Sequence, residues 1–256
     1  GCLYLLGGLG MVWGAGRWPD RRKFVDYGFR LNREWWMDMG AGLLIGAFTL
    51  TVVFVVEWMA GWVRIVSFTE TVFDGSFILV GGSILLSLLA VGVTEELVFR
   101  GYQLRNLAEG LRFGKKNGLA VVLAWVGTSV FFGIAHLMNQ DATLFSSMNV
   151  ALAGMLLGWG YVVTGQLALP IGLHIAWGFF EEFVYGFANS GQSPVGWLIG
   201  SQVNGPELWT GGAFGPEAGL IITMMILLDG LLVMGWVKYR SRWKGIRGEL
   251  SEYQKG

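Results

Sequence analysis

Glu95 and Glu96 are adjacent carboxylates at the end of an apolar run, Ser76 to Val93, that holds no charged residue. A charge deep in a bilayer costs about 2.5–3.5 kcal/mol on insertion scales, so two of them there require a reason. In a helix Glu96 and Arg100 stand four residues apart, share a face and can pair. Glu95 points about 100° away from that pair. A carboxylate in apolar surroundings, next to one already paired, suits a general base. The only two histidines, His136 and His174, also lie in apolar runs, Phe131 to His136 and Leu169 to His174. Taken singly, a histidine on an apolar helix is more often a hydrogen-bonded packing residue than a catalyst. Taken with the two glutamates, they form a set of ionisable groups at membrane depth, and such groups face the bundle interior and mark function.

The elements that must position these residues are membrane helices. Of the 256 residues, 54% are hydrophobic and 14% charged, and the mean hydropathy is +0.54. A soluble domain carries about 25% charge. The 41 glycines suit helices that pack closely in lipid, and Gly42/Gly46 and Gly154/Gly158 have small-xxx-small spacing. A net charge of zero offers nothing to a nucleic acid. Cys2 is the sole cysteine, which excludes an internal disulfide and a cysteine metal cluster.

A spanning helix needs roughly 20 apolar residues. Such runs fall at about 41–63, 76–99, 118–138, 148–165, 167–188 and 217–237, after a shorter one at 1–16. That first run is short for a span and points to residues upstream of Gly1; it does not read as a cleavable signal. The expected fold is all-α: one polytopic membrane helical bundle over residues 1–256, with about seven to eight transmembrane helices. Every lysine and arginine except Arg64 falls in segments 15–39, 100–117 or the tail after 237. Alternating spans put these segments on one side, which the positive-inside rule makes the cytoplasm. Phe24, Tyr27, Leu31 and Trp35 predict an amphipathic helix lying on that interface, with a solvated loop as the alternative. Trp35, Trp36 and Trp62 fall near span ends, as interfacial aromatics do. The 189–216 loop, without lysine or arginine, is expected outside.

At Glu95-Glu96-x-x-x-Arg100, Phe132-x-x-x-His136 and His174 the chain resembles the CPBP family of intramembrane proteases. That family includes the CAAX prenyl endopeptidases and bacteriocin-immunity-type bacterial proteins. The likeness covers about residues 76–188, taken as the catalytic core. It departs from the family pattern at Gly178, where an asparagine usually stands four residues after the last histidine. The resemblance implies a bacterial intramembrane endopeptidase of the plasma membrane. Its substrate would be a membrane-associated peptide, with CAAX-like prenylated ones among the candidates, cut near the cytoplasmic or core region. Glu95 and His136 would activate water, Glu96 and Arg100 would form a supporting pair, and His174 would stabilise the oxyanion. Glu181 or Glu182 is a candidate to replace the missing asparagine, against a simpler role as outer-end charges reaching interfacial water.

Glu95, His136 and His174 are also an acceptable zinc set. No His-Glu-x-x-His is present and the ligands would come from three helices, so the spacing favours a mechanism without metal or other cofactor. Two non-proteolytic readings stand beside the enzyme: a membrane regulator or immunity-type protein on the same scaffold, which Gly178 favours, and a proton-coupled transporter, which expects paired repeats that are not evident. Asp229 reads as a helix-packing or proton-linked residue, Glu57 as interfacial, and Asn139 and Asn149 as turn or cap residues. If Glu95 and His136 are to lie at one depth, the helix carrying Glu95 must continue to about Glu109. The 165–170 connection must then be buried in protein rather than lipid.

Overall fold

The computed structural model describes residues 2–18, 20–72, 76–112, 117–240 and 243–253. Its helices are α1 (Cys2–Arg17), α2 (Arg33–Met59), α3 (Phe77–Gly110), α4 (Asn117–Met138), α5 (Leu144–Thr164), α6 (Ala168–Gly178), a single turn α7 (Glu207–Thr210) and α8 (Leu220–Tyr239). Among the described residues five helices, α2, α3, α4, α5 and α8, are long and apolar enough to cross a membrane. The 16-residue α1 and the 11-residue α6 are shorter than a full crossing.

The fold is not purely helical. β1 (Val63–Thr71) pairs antiparallel with β2 (Gly196–Val203), with an irregularity between Ile65 and Ser67. Val63, Ile65 and Ile199 bring the β-branched side chains that suit such a surface, and the two strands, far apart in sequence, satisfy each other's backbone groups. This ribbon caps the end of the bundle reached by α2 and left by α3.

Segment 15–39 is not one amphipathic helix. After α1 the chain makes a single 3₁₀ turn, Phe24–Tyr27, and then breaks: Gly28 has φ 112° and Leu31 φ 34°. Asn32 restarts the helix as its N-cap, accepting from the Trp35 backbone N–H at 2.9 Å. Trp35 is buried, its indole donating to the Gly28 carbonyl, whereas Trp36 is exposed.

The basic segments meet at one end of the bundle. Arg22 bonds Glu109 and Asn106, Arg105 bonds the Asp26 carbonyl, Asn117 donates to Glu252 and Tyr253 to the Asp20 carbonyl. The connection between α5 and α6 is buried there, as required. Gln166, Leu167 and Ala168 are shielded, Leu167 N–H donates to the Gly28 carbonyl, and Arg247 Nε to the Val163 carbonyl. Lys115 and Lys116 lie outside the described residues.

The core has one cluster around Tyr27, Leu97, Leu104, Tyr161 and Ile171, towards the basic end, and a second around Leu50, Val53, Leu157, Leu173 and Ile222. α2 and α6 pack backbone to backbone. A Cβ on Gly42 would lie 2.2 Å from the Leu169 carbonyl oxygen, and one on Gly172 2.3 Å from that of Met39. This is the close approach that small residues allow in lipid. Asp229 of α8 is a buried bolt to α2, accepting from the Thr49 hydroxyl at 2.7 and 2.8 Å. Asn149 is another: it donates to the Gly219 carbonyl and accepts from Thr223, rather than capping a turn. Glu57 is fully buried and, among the described residues, neither carboxylate oxygen has a hydrogen-bond partner, so it is not the interfacial charge its sequence position indicates.

Candidate active site

The long helix positions the carboxylates. α3 runs unbroken through Glu95 to Gly110, placing Glu95 roughly 27 Å from its start and roughly 22 Å from its end at 1.5 Å per residue. From Glu96 to Leu104 it widens into a π-helix, an irregularity common at functional sites. A second π turn, Phe179–Val184, follows α6 and carries Glu181 and Glu182.

Glu96 is the hub of the buried network. Its Oε1 accepts from Arg100 Nη1 at 2.7 Å and lies 2.9 Å from His174 Nδ1. Arg100 is buried with it and donates through Nη2 to the Gly154 carbonyl at 3.2 Å. Its guanidinium stands over the Phe132 ring, 4.5 Å from the centroid, where a cation meets the negative face of the aromatic. Phe132 in turn packs against both histidines, 4.6 Å from the His136 ring and 6.5 Å from His174. The Phe-x-x-x-His spacing thus ties the Arg100 cation and both imidazoles to one aromatic surface.

His174 Nε2 is 3.9 Å from Glu95 Oε2. His174 therefore stands between the two glutamates, with one ring nitrogen towards each. Gly92 lets α6 come this near: a Cβ there would meet Ile175 Cγ1 at 2.9 Å. His136 ends α4, its Nδ1 2.8 Å from the Phe132 carbonyl oxygen. A proton on Nδ1 makes that contact a hydrogen bond and leaves Nε2 as the ring's acceptor.

Glu95, His136 and His174 line one cavity of about 310 Å³. Apolar walls come from Leu88, Val91, Leu156 and Leu173, polar groups from Ser87, Asn139, Glu182, Asn189 and Glu217, and Gly178 also lies on the lining. Glu96 and Arg100 stand behind the wall. No residue of the basic segments lines the cavity, which occupies the half of the bundle towards the β-ribbon. Of the acidic pair on the second π turn, Glu182 reaches the cavity while Glu181 is buried outside it. Of the two candidates, Glu181 and Glu182, the π turn brings Glu182 to the cavity. Asn139, Asn189 and Glu217 come from turns and loops; the sequence marks Asn139 only as a turn or cap residue, and nothing marks the other two.

Among the described residues no three His, Cys, Asp or Glu side chains converge as a metal-ion site. The His174 nitrogens are directed at the two glutamates, and His136 uses Nδ1 on its own helix.

Neither a curated protein nor a solved structure matches the chain. A family model does: that of the Rce1-like type II CAAX prenyl endopeptidases, over residues 78–180. The matched segment contains Glu95, Glu96, Arg100, Phe132, His136 and His174, and the match supports membership of the CPBP family.

Proposed function

We propose that the protein is an intramembrane endopeptidase acting on a membrane-associated peptide. The observation that carries this reading is the meeting of Glu95, His136 and His174, from three helices, on one largely apolar cavity. Glu95 accepts a proton from water as the water oxygen attacks the scissile carbonyl, and His136, with its Nε2 as acceptor, orients that water. His174, protonated on Nε2, donates to the developing oxyanion. As the C–N bond breaks, the proton held by Glu95 passes to the leaving amine. Glu96 and Arg100 hold His174 and the π segment in place without touching substrate. The chemistry needs only these side chains and water, so the reaction is proposed to be metal-free.

The bilayer surrounds the bundle, and the basic end faces the cytoplasm of a plasma membrane. Substrate then enters from the opposite end, where the cavity lies. The test is cleavage by purified protein of a library of quenched-fluorescence peptides, with and without a prenylated cysteine, using Glu95→Gln as control. Cleavage by wild type and none by the variant is expected; equal cleavage by both removes Glu95 from the mechanism. A second reading, a membrane regulator or immunity-type protein on the same scaffold, draws on Gly178, which offers the cavity no side-chain donor. Absence of cleavage across the library favours it.

A further inference from the structure

Attack on a peptide carbonyl puts negative charge on its oxygen, and donors aimed at that oxygen are among the largest contributions to such catalysis. Gly178 lies four residues after His174 and lines the cavity, yet has no side chain to give. What occupies the adjoining space is specific. A Cβ built on Gly178 would come 3.1 Å from the Asn189 amide nitrogen, Nδ2, and 2.8 Å from Leu88 Cδ2. An amide is therefore present where a side chain at 178 would lie, supplied by a loop instead of the helix. Asn189 lines the same cavity as Glu95, His136 and His174.

The loop is built to hold it. Asn189 and Gln192 exchange backbone hydrogen bonds, both 2.9 Å, around Ser190 at φ 48° and Gly191 at φ 81°. Two central residues in the left-handed region make a tight turn of the I′ kind. Three contacts pin that turn: Asn139 Nδ2 to the Ser190 carbonyl at 3.1 Å, Ser190 Oγ to Glu217 at 2.5 Å, and Gly191 N–H to the Phe214 carbonyl at 2.8 Å. The Glu182 carboxylate lines the cavity beside the Asn189 side chain and interacts with it. A carboxamide has two N–H donors, so one can orient on Glu182 while the other serves the cavity.

We propose that Asn189 is a catalytic residue that, with His174, donates a hydrogen bond to the oxyanion of the attacked carbonyl. The proposal rests on the peptidase reading above. It is tested with Asn189→Ala, Asn189→Asp, Gly178→Asn and the double variant Asn189→Ala/Gly178→Asn, on the best library peptide, with thermal unfolding in detergent alongside. Loss of one such donor lowers kcat by about 10²–10³-fold, and both Asn189 variants should do so with KM changed less than about threefold. Asn189→Asp keeps the shape and removes the donor. Gly178→Asn alone should be impaired, because it collides with Leu88 and the Asn189 amide. The double variant should regain at least about tenfold over Asn189→Ala, since the vacated space admits a donor from position 178.

Unchanged kcat in both Asn189 variants overturns the proposal. So does a loss that follows the unfolding temperature and is not recovered in the double variant, which is the behaviour of a structural residue. Wild-type cleavage abolished by Glu95→Gln keeps the peptidase reading whatever Asn189 does. No cleavage by wild type refutes that reading, and the proposal falls with it.

Discussion

Each charged group at the site is set by its neighbours. Glu95 and Glu96 are chemically alike and adjacent, yet Glu96 is buried between Arg100 and His174 while Glu95 reaches the cavity. On the proposed mechanism, Glu95→Gln and His136→Ala should abolish peptide cleavage while leaving the unfolding temperature near that of wild type. Arg100→Ala should act differently. It leaves the fully buried Glu96 without its guanidinium partner, and breaking such a pair costs about 3–5 kcal/mol. The expected sign is a lower unfolding temperature in detergent, partly restored when Glu96→Gln removes the stranded charge. A double variant no more stable than Arg100→Ala would contradict this account. For the metal question, exhaustive chelation should leave activity intact, and elemental analysis should find less than one zinc per chain. One bound zinc, with activity lost on its removal and regained on its return, reverses the assignment.

At the scale of elements, the site depends on how closely helices approach. The α2–α6 contact is made through backbone, so its glycines are not interchangeable with larger residues. Gly42→Leu would place its Cβ 2.2 Å from a carbonyl oxygen and 2.7 Å from a backbone nitrogen. Neither can move without shifting a helix, and α6 carries His174. Overpacking of this kind costs about 1–3 kcal/mol and should lower both stability and cleavage. Gly40→Leu is the control, since nothing lies within 4 Å of its Cβ position. Equal stability of the two variants would show that the close packing is not limiting. The π segment from Glu96 to Leu104 belongs to the same scale: it begins where the role of α3 changes from presenting Glu95 to clamping Glu96 and Arg100.

For the whole molecule, the distribution of charge and the position of the cavity make one joint statement. Segments around Arg22, Arg105 and Arg247 share an end of the bundle, and the cavity lies in the other half. With Cys2 replaced by serine, an impermeant maleimide applied to intact cells should label Gln202→Cys, in β2, and spare Arg112→Cys until the membrane is opened. The reverse pattern would turn the molecule over and give the cavity to cytoplasmic substrates.

Much of this protein can be read without coordinates. Helices of sufficient apolar length follow from composition, because lipid requires internally satisfied backbone. The Glu96–Arg100 pair follows from a four-residue spacing. The continuation of α3 to Gly110 and the burial of the 165–168 connection follow from requiring Glu95 and His136 at one depth. The β-ribbon is not legible in this way, because strands some 130 residues apart pair only when the bundle brings them together. Nor is the break at Gly28 to Leu31, where a positive φ overrides a helical pattern. Glu57 and Glu181 carry no local sign of their full burial, which depends on packing by distant segments. Asn189 is the clearest case. A loop asparagine between alanine and serine has no periodicity or motif to mark it, and only the tertiary fold lays its amide against Gly178. Sequence determines what local spacing and the bilayer enforce; contacts between segments distant in the chain are decided by close packing, where one missing Cβ makes room for a neighbour's side chain.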